Sequence, residues 1–225
     1  MSRAKSNKEL LEFQNVTATY KKDIGIFDIS FTLAAGEMIF LMGPTGAGKS
    51  TVLKAVYAAI KIDSGKVIID NDDLASLSEY KIPAIRQKIG MVFQDFKLLN
   101  NRTVLENVAL PLRIMGMSTQ EIYEKVHNTL SKVGLSSLYN SSPLELSGGE
   151  QQRVCIARAL VKNPKIILAD EPTGNLDPNV SDEILDLLDI FTDSGSAVLM
   201  STHNFPLIKP RKKRFIELSN GRIID

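Results

Sequence analysis

The chain has 225 residues, which suits one large domain or one core with a subdomain, and its 44% hydrophobic content is that of an ordinary globular protein with room for a packed core. A net charge of +1 offers no excess of cations for a nucleic-acid surface, and a single Cys rules out an internal disulfide framework and fits a reducing, cytoplasmic compartment. No window approaches about 18 uninterrupted apolar residues, so no membrane-spanning helix is expected. The polar start, Met1 to Glu9, lacks the apolar core of a signal peptide.

Residues 1–9 are read as a flexible end and residues 10–225 as the domain. Glu12 to Tyr20 alternates polar and apolar residues and reads as a half-buried strand. Lys21 to Gly25 is a turn, and Phe27 to Leu33 is a second strand. Ala35-Gly36-Glu37 turns the chain into Met38–Met42, an apolar run of strand length. Next come Gly43-Pro44-Thr45-Gly46-Ala47-Gly48-Lys49-Ser50-Thr51 and a helix from Val52 to Ala59. The turn at Asp63-Ser64-Gly65 leads to a short strand, Lys66 to Asp70. Short turns between these early strands favour antiparallel pairing.

Ile89 to Phe93 is apolar and β-prone, and it ends at Gln94. Then the texture becomes helical. Thr103 with Glu106 has capping-box spacing, and Ser118 opens a helix carrying Ile122, Val126, Leu130 and Val133 and ending at Gly134. A helical insertion, residues 97–147 in outline, therefore lies between strands of the core. Leu146-Ser147-Gly148-Gly149-Glu150 introduces a helix reaching Lys162. Ile166 to Glu171 is apolar until its last two residues, as suits a strand buried on both faces of a parallel sheet. A helix from Val180 to Phe191, a strand from Ala197 to Ser201 and a hairpin from Phe215 to Ile224 around Asn220-Gly221 close the chain. Alternating strands and helices make the fold α/β.

Strand, glycine-rich turn and a helix opening on Gly-Lys-Ser form the context that a P-loop requires. Glycines let backbone N–H groups curl inward, and the helix N-terminus adds positive partial charge. Lys49 supplies a point charge for the outer phosphates and Ser50 a hydroxyl for Mg²⁺, so the segment predicts a nucleoside triphosphate site. Asp170, ending a buried strand, is the candidate metal anchor, and Glu171 beside it the candidate base for an attacking water. Ser147-Gly148-Gly149 is a second glycine-lined helix N-terminus, and His203 ends a strand at the same sheet edge as Asp170.

The ordered set of Gly43–Ser50, Gln94, Leu146–Arg153, Asp170-Glu171, Asn175-Leu176-Asp177 and Ser201-Thr202-His203 resembles the ATP-binding subunits of ATP-binding-cassette (ABC) systems over essentially the whole chain. The resemblance implies an ABC-type P-loop core, a mixed sheet with flanking helices, plus an N-terminal antiparallel β subdomain and an inserted α-helical subdomain. It also implies that Tyr20 stacks on adenine and that Gln94 senses Mg²⁺ and couples to a membrane partner. Leu146–Glu150 would meet the γ-phosphate of ATP held by the other subunit of a homodimer. Asp177 would lie in the loop that communicates across that dimer, and His203 would contact the γ-phosphate. Such a subunit uses ATP and Mg²⁺ and sits on the inner face of the cell membrane beneath a permease-like partner.

Within the family, Phe93–Leu99, Arg102–Val108 and Arg214–Asp225 resemble the bacterial cell-division ATPases, with lipoprotein-release and macrolide-export ATPases as the alternative. A third reading is an ATP-dependent clamp with little turnover; Lys49 and Glu171 weigh against it. Two prolines in Asn204–Pro210 forbid a regular helix interior where relatives run a longer helix. His127 reads as a solvated helix residue and Cys155 as a packing residue. The basic run Lys209–Arg214 reads as a solvated turn, with attraction to anionic lipid as the alternative.

Overall fold

The computed structural model describes residues 8–21 and 24–224. In chain order these form β1 (Glu9–Lys21), β2 (Ile24–Ala34), β3 (Met38–Met42), α1 (Lys49–Val56), β4 (Ser64–Ile69), β5 (Asp72–Asp73), α2 (Ile82–Gln87) and β6 (Ile89–Val92). There follow α3 (Val104–Ile114), α4 (Thr119–Lys132), α5 (Gly148–Leu160), β7 (Ile166–Asp170), α6 (Pro178–Asp193), β8 (Ala197–Ser201), α7 (Phe205–Ile208), β9 (Arg214–Ser219) and β10 (Arg222–Ile224).

Two sheets result. β2-β1-β4-β5 is antiparallel throughout, as the short connections require. The larger sheet runs β10-β9-β3-β8-β7-β6, parallel from β9 to β6 with β10 antiparallel at its edge. The central strands are buried on both faces, and the period of two sorts their side chains between two cores. Met38 and Phe40 of β3 point into a core shared with α3, α4, α5 and α6. Ile39 and Leu41 point into the other, shared with α1 and the antiparallel sheet.

The insertion between β6 and β7 holds α3 and α4, each opened by a complete capping box, Thr103 with Glu106 and Ser118 with Glu121. Gly134, with φ +75°, follows the last turn of α4 in a conformation that only glycine adopts cheaply.

Some expectations need correction. Residues 1–7 and Lys22-Asp23, read as part of a flexible end and of a turn, lie outside the described residues. Lys8 and Glu9 are held in place: Lys8 carbonyl accepts from Ala35 N–H at 2.9 Å, and Glu9 already belongs to β1. α1 ends at Val56, three residues short of Ala59, because Ala58 takes φ +52°. Ala59 N–H then closes back on Lys54 carbonyl at 2.8 Å and Ala58 N–H on Ala55 carbonyl at 3.1 Å, a Schellman ending without glycine. The helix α2 was not foreseen; its Pro83 sits in the first turn, where proline is tolerated. After His203 the chain forms one helical turn, α7, with Pro206 near its start and Pro210 in the 3₁₀ turn that follows.

The basic run is not a freely solvated turn. Arg211 reaches Asp182, Asp186 and Asp189 of α6 at 3.0, 2.6 and 3.0 Å, with only 15% of its side chain exposed. Among the described residues no helix is long and apolar enough to cross a membrane.

Candidate active site

The site lies where the parallel strands end. β7 and β8 run in register to Asp170 opposite Ser201, and Leu41 of β3 lies opposite Ser201 on its other side. The ends of three neighbouring strands thus bring the turn after β3, the Asp170-Glu171 pair and the Thr202-His203 segment to one edge, where ligands of parallel sheets bind.

The turn after β3 is built around backbone conformation. Gly43, Gly46 and Gly48 take φ of +137°, +83° and +107°. A Cβ on Gly43 would fall 2.2 Å from Leu218 carbonyl, so no other residue fits. Gly48 caps α1 with no side-chain hydrogen bond, which leaves the first N–H groups of α1 free to bind an anion. Lys49 folds back, and its Nζ donates to Gly43 and Pro44 carbonyls at 2.8 and 3.2 Å. That ammonium is buried, yet it borders the cleft.

Around it, five residues interlock. Ser50 Oγ donates to Asp170 Oδ1 at 3.0 Å, and Ser201 Oγ donates to the same oxygen at 2.6 Å. Ser201 Oγ in turn accepts from Glu171 N–H at 2.9 Å. Glu171 Oε1 lies 3.5 Å from Lys49 Nζ, and Glu171 Oε2 lies 2.9 Å from His203 Nδ1. Glu171 itself takes φ +45°, an unfavourable conformation for a non-glycine residue that turns the chain sharply as β7 ends.

Apart from the buried Ser201, these residues line a cleft of about 750 Å³, a size suited to a nucleotide. Tyr20, Thr45, Gly46, Gly48, Lys49, Ser50, Thr51, Gln94, Asp170, Glu171 and His203 border it. Gly43, Pro44 and Ala47 shape the turn from behind: Ala47 is buried and its carbonyl accepts from Gly221 N–H at 3.0 Å. Sequence reasoning missed that contact. The β9–β10 hairpin turn at Asn220-Gly221 borders the cleft, and Gly221 carbonyl accepts from Phe27 N–H at 2.8 Å. Asn-Gly marked a hairpin, but nothing local says that the hairpin leans on the glycine turn. Ser201 was also given no role, although it directly precedes Thr202-His203.

The residues Ser147, Gly148, Gly149 and Asp177 do not border this cleft. They gather elsewhere. Ser147 caps α5 and exchanges hydrogen bonds with Glu150, Asp177 caps α6, and a Cβ on Gly149 would meet Val180 at 2.8 Å. The N-termini of α5 and α6 therefore form a second, separate polar surface.

Three oxygen-bearing side chains, Ser50, Asp170 and Gln94, border the cleft together. Such hard donors suit Mg²⁺, which keeps several waters and needs few protein ligands. The residues fit that ion.

Comparison with known proteins agrees with this geometry. The family model described as ABC transporter matches residues 26–174. The chain is 43% identical over 216 residues to the cell division ATP-binding protein FtsE of Bacillus subtilis, covering 96% of this chain and 95% of that one. It is 44% identical over 215 residues to FtsE of Escherichia coli, covering 95% and 97%. Among solved structures it resembles a dimeric ATP-binding cassette, MJ0796, in a post-hydrolysis state bound to ADP and Pi, with a TM-score of 0.85, 37% identity and coverage of 96% and 97%. An α/β core carrying a glycine-lined phosphate turn, together with relatives matched over nearly their full length, leads to one conclusion: this chain belongs to the ABC transporter family and is an ATPase.

Proposed function

We propose that this chain is the ATP-hydrolysing subunit of an FtsE-type division complex, working as a homodimer with two ATP at the interface. It would sit at the inner face of the cell membrane beneath a permease-like partner of the FtsX type, and its cycle would control peptidoglycan hydrolysis. Kinship with the FtsE proteins supports the division role. The observation that carries the dimer is the separation of two anion-binding surfaces: the Gly43–Thr51 cleft on one side and the Ser147–Gly149 helix N-terminus on the other. One chain cannot close both on the same phosphates, whereas two copies related by a two-fold axis would.

In this reading the α1 N-terminus and Lys49 bind and neutralise the phosphates, and Tyr20 stacks on the base. Ser50, Gln94 and Asp170 would hold Mg²⁺, which supplies charge neutralisation at the β- and γ-phosphates. Glu171, flanked by Lys49 and His203, accepts a proton from the attacking water at Oε2 or Oε1, while His203 approaches the γ-phosphate. Ser147 to Gly149 and Asp177 act from the opposite subunit.

Glu171→Gln tests the scheme because it keeps shape and removes basicity. The variant should accumulate as an ATP-bound dimer in size-exclusion chromatography and release no phosphate. Undiminished turnover removes Glu171 from its role. Purification of the complex from native membrane should recover an FtsX-like protein, and recovery of a lipoprotein-release permease would overturn the division reading.

A further inference from the structure

The turn that carries Gln94 is strained, and one side chain of α5 holds it. After β6 the chain makes a tight reversal over Phe93–Lys97, with Phe96 N–H donating to Phe93 carbonyl at 3.4 Å and Lys97 N–H to Asp95 carbonyl at 2.5 Å. Phe96 and Lys97 take φ of +56° and +49°. Left-handed conformations are rare for residues with a Cβ, and two in succession need support from their surroundings. Lys97 secures its own side chain locally, on Asp95 at 2.8 Å and over the Phe93 ring at 5.7 Å. Those contacts do nothing for the carbonyls that the left-handed residues turn toward α5.

Arg158 answers them. Its two terminal nitrogens donate to consecutive carbonyls, Nη1 to Lys97 at 2.6 Å and Nη2 to Phe96 at 2.7 Å. The planar fork sets one nitrogen on each carbonyl at short distance, a two-nitrogen geometry that a lysine does not reproduce. Arg158 is anchored in the third turn of α5, next to fully buried Cys155 and Ala157, on the helix whose N-terminus carries Ser147-Gly148-Gly149. At the other end of the turn, the Gln94 amide lies against Gly174, in the loop after Glu171: a Cβ there would stand 3.0 Å from Gln94 Nε2.

We infer that Arg158 is a positioning residue, a latch that holds the strained Phe96-Lys97 pair so that Gln94 points into the cleft, and that links this placement to α5. The latch rests on the reading of Gln94 as part of the site. Movement of α5 would tug on the two carbonyls and reset Gln94, while loss of the guanidinium would let the turn relax toward right-handed or extended conformations and withdraw the amide. Neither change touches Lys49 or Glu171.

ATP turnover of the full chain with its membrane partner measures this directly. Arg158→Ala should lower kcat at least tenfold with KM for ATP within about twofold, since the α1 phosphate site is intact. Arg158→Lys should remain impaired, because the guanidinium places a separate nitrogen on each carbonyl, whereas lysine brings a single nitrogen on a side chain without the planar fork. Glycine relieves the left-handed strain, so Phe96→Gly with Lys97→Gly, added to Arg158→Ala, should recover most of kcat. A merely structural arginine predicts the reverse: added glycines would lower stability further and restore nothing, and that result overturns the latch. Gln94→Ala is measured alongside. Full activity of that variant would remove Gln94 from the site and the latch with it, whereas an impaired Gln94→Ala with no glycine rescue would sink the latch alone.

Discussion

His203 Nδ1 stands 2.9 Å from Glu171 Oε2, while the other oxygen of the same carboxylate faces Lys49 Nζ at 3.5 Å. Glu171 is therefore held between two nitrogen groups of different character. Lys49 is buried, but the His203 side chain is 59% exposed and borders the cleft. An exposed imidazole can turn toward an incoming phosphate, and in doing so it frees the oxygen that would receive a proton. His203→Ala should thus reduce ATP turnover by about 10²-fold or more, the range typical for loss of one group that stabilises developing charge. Affinity for ATP, read by equilibrium binding of a fluorescent analogue, should change little. A large loss of binding with normal turnover at saturation would show that His203 serves only to hold the nucleotide.

Ser201 marks the boundary of what could be read in advance. Strands, the phosphate turn and the acidic pair were legible because each rests on local rules: an apolar run, glycines at fixed spacing, a carboxylate at a strand end. Even the second glycine-lined helix start at Ser147 declared itself. What stayed hidden depends on neighbours far apart in the chain. Ser201 bridges Asp170 Oδ1 and Glu171 N–H only because β7 and β8 pair in register. Gly221 supports the phosphate turn only because β9 lies beside β3. Arg211 looked solvated until α6 supplied three aspartates from successive turns. Pairing register and helix-face encounters are tertiary facts, which sequence periodicity does not encode.

Ser201→Ala is the corresponding test. Its hydroxyl is completely buried and makes two hydrogen bonds, so removal leaves Glu171 N–H short of one partner and Asp170 short of a donor. The cost should be about 1–3 kcal/mol of stability, seen as a lower midpoint in urea unfolding. Turnover should fall with it, because both carboxylates lose their fixed direction; Ser201→Thr should restore at least part of each. An unchanged unfolding midpoint would mean that the Asp170–Ser201 bond contributes nothing.

At the opposite end of the sheet Asp70 collects Lys165, Lys8 and Lys88 at 2.6, 2.7 and 3.0 Å. Hydrogen bonds from Lys165 and then Lys8 outweigh desolvation and hold its carboxyl well below the usual carboxylate range. Because the folded pKa is depressed, the stabilisation is present above the ordinary value of about 3.9 and is lost as pH falls through the lower folded value. Asp70→Asn isolates the charge, since Asn tolerates the φ of +49° found there. The variant should melt below wild type at pH 7, and the difference should shrink steadily once pH drops under about 4. A gap that persists unchanged in acid would assign the effect to packing.

Gln152 points to stability given up. It is fully buried in α5, and neither its amide oxygen nor its nitrogen has a hydrogen-bond partner among the described residues. On the helix it falls between Gly148 and Gly149, which meet Leu176 and Val180, so it faces the start of α6 behind Asp177. A buried amide without partners costs about 1–3 kcal/mol, and replacing it with an apolar group of similar shape recovers part of that. Gln152→Met should therefore raise the melting temperature by about 2–8 °C, given the size of the domain. An unchanged or lower value would show that the unpartnered amide costs the fold nothing. The choice of Met matters: it has the length of Gln and a flexible chain, so a loss of stability could not be blamed on a cavity.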